Sequence, residues 1–71
     1  MFRFLVVIEK AENNYSAYCP DLPGCVATGT TREEVEKNIL EAIVFHIQGM
    51  KEERIPIPQP NSFAEVIALP A

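Results

Sequence analysis

YSAYCPDLPGCVATG, Tyr15 to Gly29, is the stretch that decides the fold. Tyr15, Ala17 and Cys19 alternate with Ser16 and Tyr18, the period of a pleated strand with two different faces. Pro20 and Pro23 cannot donate to a ladder, and each holds its φ at about −65°. Gly24 follows Pro23 directly and can take a positive φ without steric cost. The chain therefore leaves one strand, makes a stiff turn and re-enters as another over Cys25 to Thr28. Leu22, the apolar residue of the turn, is expected to tuck back onto the core edge.

Upstream, Phe2 to Lys10 reads as a first strand, with Phe2, Phe4, Val6 and Ile8 on one face and Arg3, Leu5, Val7 and Glu9 on the other. Ala11-Glu12-Asn13-Asn14 reads as a hairpin loop. Downstream, Thr31 and Glu34 have the spacing of a capping box that opens a helix. Glu33 and Glu34 suit the positive end of its dipole, and Glu33 can pair with Lys37 one turn on. Val35, Ile39, Ala42, Ile43, Ile47 and Met50 form one apolar stripe, widened by Leu40, Val44 and Phe45. Ending near Met50, the helix would be roughly 30 Å long. Pro56, Pro58 and Pro60 enforce an extended connection. Ser62 to Leu69 then reads as a last strand, with Phe63, Glu65, Ile67 and Leu69 on one face and Ala64, Val66 and Ala68 on the other.

The order is β-β-β-α-β, an α+β domain. Two hairpins and a right-handed crossover put the fourth strand beside the first, for a sheet order 3-2-1-4 with the helix on the Phe2/Phe4/Val6/Ile8 face. One helix covers only one face of such a sheet. Leu5 and Val7 on the other face, with Leu40, Val44 and Phe45 on the helix flanks, predict an apolar interface and hence a homo-oligomer, most simply a twofold dimer.

Seventy-one residues make a single domain, 1–71, whose core is expected to supply about 3–5 kcal/mol net. The composition is 48% hydrophobic without a long apolar run, which excludes disorder and a membrane-spanning helix. No charged-then-apolar leader is visible, so a cytoplasmic location is the default expectation. The net charge of −4 disfavours direct nucleic-acid binding and suits a basic protein partner, while also serving solubility. Two cysteines and one histidine fall about two ligands short of a zinc site. Cys19 and Cys25 are expected to be reduced and half-buried. Neither a metal nor a cofactor is expected.

Tyr15-Ser-Ala-Tyr-x-Pro-Asp-Leu-Pro-Gly-Cys25, followed by Val-Ala-x-Gly-x-Thr-x-Glu-Glu34, resembles the HicB-like antitoxin family. The resemblance extends over nearly the whole chain, from the Val-Ile-Glu-Lys end of strand one to the Ile-Pro-Ile-Pro-x-Pro stretch. It implies a partial RNase H-like architecture, in agreement with the topology above. It also implies binding to a small basic HicA-type toxin, an mRNA-cleaving ribonuclease. Asp21 and Leu22 in the turn, with Glu9 and Glu12, are the candidate contacts. Many such antitoxins continue into a DNA-binding segment. This sequence stops just past strand four, so sequence-specific DNA binding by this chain alone is not expected.

An RNase H-like sheet raises the question of nuclease chemistry, which needs carboxylates converging on two metals. Glu9 and Glu12 lie at one end of strand one and Asp21 at the other, about 15–20 Å away. Glu65 lies on strand four, and no carboxylate sits mid-strand on strand one. His46, between Phe45 and Ile47, reads as a packing residue rather than a base for either cysteine. Asp21 has a plain alternative role, an Asx-type turn bonding its own backbone. The sequence thus reads as a non-enzymatic antitoxin. The competing reading is a stand-alone homo-oligomeric module that binds a small ligand in an apolar groove between subunits.

Overall fold

A computed structural model describes residues 1–71. Three short antiparallel strands, β1 (Val7–Lys10), β2 (Tyr15–Tyr18) and β3 (Val26–Gly29), are followed by one helix, α1 (Arg32–Glu52). The sheet order is β1-β2-β3, as expected for these three strands. Ile8, Ala17 and Ala27 form one cross-strand row facing the helix, and Val7, Tyr18 and Val26 form another on the opposite face.

β1 is shorter than expected. Residues 2–6 are unpaired, because β2 ends at Tyr18, opposite Val7, and Cys19-Pro20 turns away. The expected fourth strand is absent. Residues 56–71 make no backbone–backbone hydrogen bond, and a strand persists only with a ladder partner. The molecule is correspondingly long, 49 × 27 × 18 Å with a radius of gyration of 13.9 Å. A compact domain of this length has about 11 Å.

The helix begins as the sequence predicts. Thr31 is the N-cap, its hydroxyl accepting from the Glu34 amide at 3.1 Å. The Glu34 carboxylate accepts from Thr30 rather than Thr31, taking the Thr30 amide at 3.0 Å and its hydroxyl at 3.2 Å. The box is thus displaced by one residue on its acidic side. The expected Glu33–Lys37 pair does not form; the one ion pair is Arg32–Glu36, at 3.1 Å on the surface. At the other end Arg54 takes a left-handed φ of 57°, and the Ile55 amide donates to the Met50 carbonyl. This Schellman closure satisfies the last carbonyls and sends the proline-rich connection off the helix.

Gly29 is where the sheet meets the helix. A Cβ there would lie 2.6 Å from the Val35 amide nitrogen and 2.9 Å from its Cα. The Asn38 side-chain amide donates to the Thr28 carbonyl at 2.8 Å, a second tie. The helix therefore lies chiefly over β3 and β2 and touches β1 least. Ala17, Cys19, Leu22, Cys25, Val35 and Ile39 form the buried core, with Ala42, Ile43, Ile47 and Met50 packed against it. No helix is long and apolar enough to cross a membrane.

Candidate functional site

The 19–25 turn is two tight turns in series. The Leu22 amide donates to the Cys19 carbonyl, and the Cys25 amide to the Leu22 carbonyl. In the second, Pro23 precedes Gly24 at φ 83°, the type II arrangement that demands a glycine. The Cys19 amide also donates to the Cys25 carbonyl, closing the base. Leu22, placed among the candidate partner contacts, points inward and is fully buried. It supports the turn from within, and the turn's outer surface belongs to Pro20, Pro23 and Gly24.

Asp21 does not bond its own turn. Its carboxylate takes the Ser62 amide at 3.2 Å on Oδ2 and the Ser62 hydroxyl at 3.1 Å on Oδ1. That replaces the expected Asx-type role with a tie to the C-terminal segment. No local pattern signals a partner 41 residues away. Glu9 and Glu12 are exposed at the far end of β1 and are not gathered with Asp21. No cluster of three metal-ligating side chains occurs anywhere in the chain.

Cys19 and Cys25 are both free and buried, more deeply than expected. Burial pushes the Cys25 thiol above its ordinary pKa, and a Cys19 thiolate would push it further. Such a thiol stays protonated and is a poor nucleophile near neutral pH.

The off-centre helix leaves apolar side chains of the β1 side uncovered. Phe2, Phe4, Val6 and Ile8 face Ile39, Leu40 and Ile43 across an open groove of about 380 Å³, with Glu36 its only charged neighbour. The rings of Phe2 and Phe4 stack 5.7 Å apart at 5° and form its floor toward the N-terminus. Leu40 and Val44, expected at an oligomer interface, flank this region at 61% and 48% exposure. Phe45, one residue on and so about 100° around the helix, stands apart on the solvent side. Leu5 and Val7, by alternation, belong to the other sheet face, where Tyr18 and Val26 are exposed beside Val7. The expected single interface is thus divided between a groove and an outer sheet face. The alternation of Phe2 to Ile8 identified the groove's wall, but only the helix offset opens it.

The chain is similar to several known proteins. A family model described as a HicB-like antitoxin of bacterial toxin-antitoxin systems matches residues 4–71. An uncharacterised 14.9 kDa protein of Haemophilus phage HP1 is 40% identical over 92% of this chain, which spans about half (49%) of that relative's length. A UPF0150 protein of Synechocystis is 33% identical over 97% of this chain and 89% of its own. A UPF0150 protein of Thermoplasma acidophilum is 38% identical over 84% of this chain and 88% of its own. Among solved structures, a chain of a HicA3 and HicB3 toxin-antitoxin complex superposes with a TM-score of 0.70 at 31% identity, over 86% of this chain and 72% of that one.

Proposed function

The chain belongs to the HicB-like antitoxin family of bacterial toxin-antitoxin systems, and from that premise we propose that it binds a small basic HicA-type toxin and silences it by direct contact. The likeness to a chain taken from a toxin–antitoxin complex carries this reading. The net charge of −4 supports it, because an acidic protein is steered toward a basic, RNA-binding one. The proposed contacts are Glu9 and Glu12, exposed at the β1–β2 hairpin end, and the stiff turn that Asp21 and Leu22 shape. The role is one of masking in the cytoplasm, without catalysis by the antitoxin. In the assembled protein, a homo-oligomer, residues 62–69 complete the sheet beside β1, giving the order 3-2-1-4.

The test is RNA cleavage by a purified HicA-type protein encoded next to this chain, with and without an equimolar amount of it. Cleavage should stop on addition and resume as salt weakens the complex. Undiminished cleavage, with no complex at low salt, refutes the proposal. The apolar groove favours a second reading, a small-ligand module. Saturable binding of an apolar dye, displaced by cell extract but not by the toxin, would mark that case.

A further inference from the structure

Two unsatisfied features lie on one molecule. The first is the segment after Ser62. Residues 63–71 are all exposed, including Phe63 at 82%, Val66 at 98%, Ile67 at 77% and Leu69 at 79%. Apart from Glu65 they are apolar on both faces a strand would present, yet they have no ladder partner. The second is the receiving surface. β1 pairs with β2 on one edge only, residues 2–6 pair with nothing, and the groove they line is open and apolar. A bare edge beside an apolar groove is the surface onto which an extended segment adds as a strand.

The segment carries one charge, Glu65, among nine residues rich in apolar side chains, and so matches the groove in chemistry. A basic partner drawn by acidic charge would instead seek the carboxylates, of which the groove has only Glu36. The segment does not lie on its own chain's groove. It is held at its base by Asp21, follows the Pro56/Pro58/Pro60 connection and is exposed throughout, on a molecule 49 Å long. We propose that residues 63–69 of each chain add as a fourth strand to the β1 edge of a second copy, so that two chains exchange arms in a twofold dimer. Two such arms, with the surfaces they cover, amount to on the order of 1,500–2,000 Å², the size of a stable interface. The bare edges and both grooves are then closed without another molecule. This inference stands apart from the toxin reading, because it concerns the chain alone.

The experiment uses the purified chain without toxin. Sedimentation from low to high micromolar concentration should show a dimer. Filtered NOEs in a mixture of labelled and unlabelled chains should connect residues 63–69 with Phe2, Phe4 or Leu40 of the other copy. Val66→Asp and Ile67→Asp place a charge on each face of the arm in turn. At least one should weaken the dimer tenfold or more while leaving the helical circular dichroism unchanged. A monomer at every concentration overturns the proposal. So does a dimer whose arm contacts lie within one chain, or one that tolerates both aspartates.

Discussion

The backbone amide and the hydroxyl of Ser62 both donate to the carboxylate of Asp21, one to each oxygen. This part-buried pair fastens the end of the proline connection to the turn between β2 and β3. Asp21→Ala should lower unfolding stability by about 1–2 kcal/mol, the cost of removing a charged acceptor from two part-buried donors. Urea denaturation measures it. Hydrogen exchange at the Ser62 amide should accelerate in the same variant, and Asp21→Asn should retain part of the protection.

Gly29→Ala tests the close approach of β3 to the helix. The new methyl would press on the Val35 backbone, which has no flexible side-chain end to yield. Overpacking of this kind costs about 1–3 kcal/mol. Thermal unfolding should show a lower Tm, and Gly49→Ala, where the space is open, should not.

The start of the helix separates a strong local contact from a weak one. Thr31→Ala removes the N-cap oxygen and should cost about 1 kcal/mol. Arg32→Ala breaks the surface pair with Glu36, and its effect should stay within about 0.5 kcal/mol. Parallel chemical denaturation curves would rank the two.

The Cys25 thiol gives the protein a pH dependence on the alkaline side. Its pKa is raised in the folded state, so the folded chain keeps a proton that the unfolded chain releases. The stabilising contribution is complete below the ordinary thiol range and falls as pH rises from about 8.5 upward. Cys25→Ala should flatten that decline in a series of melts. Iodoacetamide should label the native protein slowly at pH 7.5 and the urea-unfolded chain fast.

Glu9→Lys and Glu12→Lys reverse two exposed charges at the hairpin end. If these carboxylates steer the toxin, association should slow several-fold and lose its salt dependence, while the dissociation rate changes little. Surface plasmon resonance at two salt concentrations reads both rates. An unchanged association rate would move the contact to another surface.

Most of the body was legible because its signals are local. Pro23-Gly24 prescribes a turn, Thr31 and Glu34 open a helix, and the Val35-to-Met50 stripe marks the buried side. What escaped depends on partners distant in sequence. An Asp in a tight turn commonly bonds its own backbone, and only the returning chain diverts Asp21 to Ser62. Ser62 to Leu69 reads as an apolar strand, but its composition does not say where, or on which molecule, a partner edge lies. The Gly29 contact holds the helix over β3 and β2, and the groove this opens beside Phe2, Phe4 and Val6 is something that hydrophobic periodicity does not encode.

The consecutive order of the packed elements has a kinetic consequence. β1 meets β2, β2 meets β3, and α1 turns straight back over them, so the body closes through short loops. Short loops favour fast folding. The elements that pack together are consecutive, so the body can close before residues 62–71 find a partner. The early phase of refolding should then be independent of protein concentration, with any step that captures residues 63–69 arriving later and at a rate set by how often two folded bodies collide.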